Sequence, residues 1–366
     1  MRWLTLLLPA LAGCLQLDDH PGTGYLGDRG FRRATLEAAL VNPANHYSQL
    51  RLAHYATGTD SDWDQLPEWN PALVDTPALA LDEAETQAGL RALGEAAFFR
   101  YPTQSVPTAT IPDDVESVGL WRDPTRQPLV EVRYSDGTSG LSLTCATCHA
   151  QVRDGVLVPG LGNQQLDYGA LAHTDTHWGP GRIDVTPPPG EEPIAIPDLR
   201  PVAAQTHLHR DGTVRAGLVE LAIRIETLII TAQSGTVRPP RLVALAVATY
   251  LYSLSPPSPT AASPGRAVFD SQCGACHAGP GLSGPPVLLA TVGTDPRVGQ
   301  SADRGTGGYR VPSLLGVATR GRLLHDNSMP DLETLLDPAR TDGGHRFGLG
   351  LSTNDHQDLL AFLHTL

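Results

Sequence analysis

Cys145-Ala146-Thr147-Cys148-His149 and Cys273-Gly274-Ala275-Cys276-His277 are two copies of Cys-x-x-Cys-His within one chain of 366 residues. A lone Cys-x-x-Cys reads equally well as a redox dithiol or as half a zinc site. The histidine that follows at once, in both copies, selects another chemistry: covalent attachment of a c-type haem. The two thiols add across the porphyrin vinyl groups, and the adjoining imidazole ligates the iron from the proximal side. The motifs therefore predict two covalently bound haem c groups. One is held by Cys145, Cys148 and His149, the other by Cys273, Cys276 and His277.

Outward from the motifs, the chain repeats. Residues 196–203 (Ile-Pro-Asp-Leu-Arg-Pro-Val-Ala) match 311–318 (Val-Pro-Ser-Leu-Leu-Gly-Val-Ala), and at the same offset of 115 residues 208–214 lie over 323–329. Each copy has a Cys-x-x-Cys-His before this block and an apolar helix after it. The helices are expected over about 241–254 and 352–366, with Ser352 as N-cap of the second. Between the copies, 255–264 (Ser-Pro-Pro-Ser-Pro-Thr-Ala-Ala-Ser-Pro) is a stiff linker that cannot continue a helix. The expected fold class is mostly α: two tandem cytochrome c-type haem domains with long loops, at 83–254 and 265–366. The 37 glycines and 32 prolines assign much of the remainder to loops. Residues 14–82 are read as an N-terminal extension that packs on the first domain or spaces it from a membrane. It has a short helix over 33–40 and an irregular loop over 63–77. An insertion over roughly 102–140 has no counterpart in the second copy.

Four of the five cysteines belong to the two motifs. The fifth, Cys14, closes Leu11-Ala12-Gly13-Cys14 after Arg2 and an apolar run over 3–8. That is the pattern of a secretory signal, and it resembles a bacterial lipoprotein box. Residues 1–13 are then a removable signal peptide and Cys14 a lipidated first residue; the alternative is an ordinary secreted protein. The run is too short to span a bilayer, so the membrane is reached through the lipid anchor only. The expected location is the periplasm-facing side of the bacterial cell envelope, at the outer membrane. No cysteine is left over for disulfides. The formal charge of −13 argues against nucleic acid, which requires a basic footprint. All 26 basic residues are arginines, which removes lysine as a haem ligand.

The sixth ligand decides whether a haem iron carries electrons or reacts with a small molecule. Only two methionines occur, and Met1 leaves with the leader, so Met329 is the one thioether candidate; His325 competes with it for the second haem. In the first copy Met329 aligns with Val214, which cannot bind iron. There the candidates are His173, His177, His207 and His209, or an open position.

Further residues resemble the bacterial dihaem cytochrome c peroxidase superfamily, which also includes the methylamine-dehydrogenase-maturing dihaem enzyme and rubber oxygenase. The resemblance runs from about residue 89 to the end. Its carriers are Leu93-Gly94-Glu95-Ala96-Ala97-Phe98-Phe99, the block Tyr309-Arg310-Val311-Pro312-Ser313-Leu314 followed by His325-Asp326, and the closing Leu359-Leu360-Ala361-Phe362-Leu363. It implies that the second haem, on His277 and Met329, accepts electrons from a small redox donor protein. The first haem, on His149, is then the site that binds peroxide once a labile distal histidine moves away. The family's pattern puts His177 first for that ligand, beside Trp178, with His173 second. It also puts Glu226 forward as the proton-transferring carboxylate, against a surface or salt-bridged glutamate. The resemblance leaves room for a calcium ion between the domains. One departure bears on activity: Arg210 stands where the family has a tryptophan between the haems. An arginine cannot relay an electron hole, but its guanidinium suits a haem propionate. The alternatives are a dihaem electron-transfer protein without peroxidase activity, and a dihaem oxidase or oxygenase acting on a larger substrate.

Overall fold

The computed structural model describes residues 20–55, 62–74, 76–106, 113–134, 136–172, 178–184, 193–255 and 263–366. The signal segment, Cys14, His173, His177 and most of the 255–264 linker lie outside the described residues. Among the described residues no helix is long and apolar enough to cross a membrane. The fold is largely helical, with several small antiparallel sheets.

Two helix pairs share one construction. Helix Gln87–Arg100 packs on helix Arg241–Ser253, and helix Gly265–Gln272 packs on helix Thr353–Leu363. Each pair crosses at a glycine. A Cβ on Gly94 would lie 2.0 Å from the carbonyl oxygen of Ala246, and one on Gly265 would lie 1.8 Å from that of Asp358. One turn further along each helix an aromatic pair closes the contact. Phe98 meets Tyr250 at 5.5 Å between centroids and 55°, and Phe269 meets Phe362 at 5.2 Å and 54°. Ser352 caps the last helix as expected, accepting from the Asp355 amide at 3.2 Å.

The repeat blocks also correspond in local structure at the same offset. Short 3-10 turns fall at Val202–Ala204 and Val317–Thr319. Val214 pairs with Leu208, and Met329 pairs with Leu323 at the same offset. Within these hairpins His209 and Leu324 both take positive φ, +61° and +69°, as do Gly212 and Asn327. The duplication read from sequence is thus a duplication of backbone conformation.

Two segments differ from expectation. Residues 63–77 are not wholly irregular: strand Ala72–Leu73 pairs with strand Leu129–Arg133. Together with Ser139–Leu143 and Gln104–Val106 they form a four-stranded antiparallel sheet, much of it built from the 102–140 insertion. The signal was present in Leu129-Val130-Glu131-Val132-Arg133, which buries alternate residues, and in the Asp136-Gly137 turn beyond it. In the extension only the start of its helix differs. Tyr25, Leu36, Tyr47 and Tyr55 belong to the same buried cluster as the 87–100, 218–232 and 241–253 helices. It packs into the first copy; helix Arg29–Ala39 begins four residues earlier than its apolar pattern indicated because Asp28 caps it from outside that pattern.

Candidate functional site

In the second copy, Cys273 ends the 265–272 helix and the chain turns tightly, with the His277 amide donating to the Cys273 carbonyl at 2.9 Å. His277 is buried, and its Nδ1 lies 3.1 Å from the Leu282 carbonyl. A carbonyl only accepts, so the proton sits on Nδ1 and the Nε2 lone pair stays available, the arrangement found in ligating histidines. Burial pushes its pKa down to about 4, so the ring is neutral.

Beside these three residues opens a cavity of about 220 Å³. That is below the ~300–1,000 Å³ usual for small-molecule clefts, so its fit to a ligand rests on the chemistry of its lining. Its walls are mainly apolar, with Phe269, Val287, Val311, Leu335 and Leu363. Arg210, Arg310, Arg320 and Arg322 also line it; Arg210 lies in the 208–214 block, and Arg310 and Arg322 immediately precede the 311–318 and 323–329 blocks. Arg310 Nε is buried without a hydrogen-bond partner among the described residues, while Arg320 pairs with Asp198 at 3.3 Å. Paired thiols, a neutral imidazole, an apolar slot and guanidinium groups suited to carboxylates fit a covalently attached haem with two propionates.

The first motif is held differently. Cys145–His149 is one turn of helix, capped at Thr144 by the Thr147 hydroxyl, which donates in turn to the Pro128 carbonyl. Trp121 Nε1 donates to the Ala146 carbonyl at 2.9 Å, and the Asn163 amide to that of Cys148 at 2.8 Å. The insertion therefore props up the first motif through Trp121 and Pro128. His149 Nδ1 donates to the Pro197 carbonyl at 3.1 Å, and burial again lowers its pKa to about 4. Pro312, the repeat equivalent of Pro197, also contributes a carbonyl near His277. Burial pushes the Cys145 and Cys148 thiols up to about 12, so both rest as thiols.

The structure distributes the other sequence candidates widely. Met329 is buried in the apolar cluster of the second copy and does not contribute to the cavity lining. His325 does line the cavity and stacks on Tyr309 at 4.2 Å. His209 Nε2 is engaged by the Tyr47 hydroxyl at 3.0 Å, and His207 Nδ1 lies 3.1 Å from the Thr206 hydroxyl. Glu226 is fully buried, not on the surface. It accepts from Tyr25 at 2.9 Å and Tyr55 at 3.2 Å and pairs with Arg241 at 3.2 Å. Desolvation raises its pKa despite those partners. All three partners lie outside both haem motifs. Arg210 donates through Nε and Nη2 to the Ala195 carbonyl, at 3.2 and 3.0 Å, and faces the second cavity.

Sequence reasoning passed over His345, which lines the cavity beside His277, and Arg51, which is buried over the Tyr47 ring at 3.6 Å. A histidine amid glycines ahead of the closing helix was the only signal for the first. The second sits in the extension and had none. Among the described residues, no three His, Cys, Asp or Glu side chains converge as on a bare metal ion, so the calcium expectation gains no site there.

No family model matches the chain, and no curated protein does. Among solved structures it is similar to a MauG-like protein associated with microbial copper homeostasis, at 15% identity over 72% of this chain and 92% of that one, with a TM-score of 0.40. It is also similar to Kuenenia stuttgartiensis hydrazine synthase, at 14% identity over 85% of this chain and 97% of that one, with a TM-score of 0.36. These are remote likenesses, so the functional reading rests on the side chains described above.

Proposed function

We propose that the chain is a dihaem c-type cytochrome that works as a peroxidase-like oxidoreductase. Electrons enter from a small donor protein through the second haem and reduce peroxide at the first, with Cys14 as a lipid tether to the cell envelope. The observation that carries this reading is the twice-repeated Cys-x-x-Cys-His whose histidine is held as the Nδ1–H tautomer by a backbone carbonyl. A c-type haem, once attached, supplies a redox-active iron whose sixth position governs whether it carries electrons or binds a small molecule.

The chain's own contribution is positioning. Pro197 and Leu282 orient the two imidazoles, and the arginines beside the second motif offer partners for propionates. Around the first motif, His177, or His173 after it, is the candidate for the ligand that leaves. The net reaction takes one peroxide, two electrons and two protons to two waters. Glu226 is a proton-transfer candidate by resemblance alone; its ion pair with Arg241 favours a structural role.

A second reading, an electron carrier without peroxidase activity, is favoured by Arg210 in the place of an inter-haem tryptophan. The deciding experiment is EPR and optical titration of the purified holoprotein, fully oxidised and half-reduced, with peroxide added to each. The peroxidase reading expects half-reduction to yield one high-spin haem that peroxide promptly reoxidises. Two haems that stay low-spin and ignore peroxide would leave the carrier.

A further inference from the structure

Three side chains able to ligate iron lie around the second motif, and their surroundings differ. The Met329 side chain is packed against Gly343, so close that a Cβ there would lie 2.4 Å from its Cε. The His325 ring is stacked on Tyr309, and its carbonyl accepts from the Ala195 amide at 2.7 Å. His345 lines the cavity, and its Nδ1 is buried with no hydrogen-bond partner among the described residues. A buried polar atom left unpaired costs free energy, so a site that keeps one has a use for it. The two rings also lie within electrostatic reach of each other, His345 acting on His277.

The backbone that presents His345 is held against its own preference. Gly343, Gly344 and His345 take φ of +77°, +66° and +45°, a run that is unfavourable at a residue with a side chain. Arg340, itself buried, clamps it. Its Nε donates to the Leu335 carbonyl at 3.0 Å, Nη1 to those of Gly344 at 2.7 Å and Asp342, and Nη2 to that of His345 at 2.8 Å. The His345 amide donates to the carbonyl of Val292, another lining residue, at 2.6 Å. A conformation so over-determined sets in place the backbone that carries the imidazole before any ligand arrives.

We propose that His345, in preference to Met329 and His325, is the second axial ligand of the iron bound by His277, an inference that rests on the haem-attachment reading of Cys273, Cys276 and His277. The second haem is then bis-histidine, with a lower potential than thioether ligation would give it.

The test is near-infrared magnetic circular dichroism and EPR of the oxidised holoprotein, with haem counted independently by the pyridine haemochrome. The wild type should lack the methionine–iron charge-transfer band, and Met329→Leu should leave spectra and potential unchanged. His345→Ala should turn one low-spin haem high-spin, and added imidazole should restore it. A methionine–iron band that vanishes in Met329→Leu would overturn the proposal, as would His325→Ala producing the spin change instead. The wild-type spectrum decides against thioether ligation even if His345→Ala does not fold. A haem count showing Cys273 and Cys276 bare would sink the functional reading, and this ligand with it, through a separate readout.

Discussion

The two Cys-x-x-Cys-His regions carry the same chemistry in different settings. The first motif is fastened by protein: Trp121, Asn163 and the Thr144–Thr147 cap bond its backbone, and the N-terminal extension thickens the core behind it. The second has a smaller apolar cluster and opens on a cavity whose walls include both repeat turns. A duplicated unit can thus be completed from outside by added chain or from inside by the group it binds. Protein can only complete the first that way because it has an insertion and an extension to use. The second copy has neither, and on the haem reading proposed above it would depend more on the group it binds.

The sharpest way to break this comparison is to remove the attachment thiols one pair at a time. Cys145→Ala with Cys148→Ala, and Cys273→Ala with Cys276→Ala, should each remove one haem from the intact mass. The second pair should lower the melting temperature more, since it empties the cavity; equal losses would end the contrast.

Next in size is Glu226, a buried charge specific to the first copy. Glu226→Ala leaves two tyrosine hydroxyls unpaired and Arg241 with Asp64 alone, and should cost about 1–3 kcal/mol for each hydroxyl in denaturant unfolding. A loss within the noise would mean the cluster is solvated. Gly94→Ala and Gly265→Ala test what the copies share. Each puts a Cβ into the backbone of the partner helix and should cost about 1–3 kcal/mol; one tolerated substitution would show that the two crossings are not equivalent.

The smallest effect separates the closing helices. Ser352→Ala removes a side-chain cap and should cost about 1 kcal/mol by urea melting. The first closing helix follows Pro240 and has no side-chain cap to lose, so Pro240→Ala should leave that cap balance unaltered.

Read residue by residue, the haem motifs, the repeat and the two closing helices were legible because each is a local pattern. Five consecutive residues define the attachment chemistry, and an apolar period defines a helix face. The crossing glycines were visible only as letters. Gly94 was quoted as part of a resemblance, whereas its use, letting two backbones touch, needs the partner helix to be known. The four-stranded sheet was missed because its strands are short and its partners lie up to 61 residues apart, Ala72 against Arg133.

The sequence by itself determined that two Cys-x-x-Cys-His motifs lie in tandem within a repeat, since each is a run of neighbours along the chain. Tertiary structure alone decided what surrounds each unit: that Glu226 is enclosed by Tyr25, Tyr55 and Arg241, that Met329 is packed away from the cavity lining, and that His345 stands beside His277. The physical reason is that a five-residue motif is set by a few backbone dihedrals. What faces it across the cavity is set by packing between segments 68 residues apart, His277 and His345, and no local pattern records that placement.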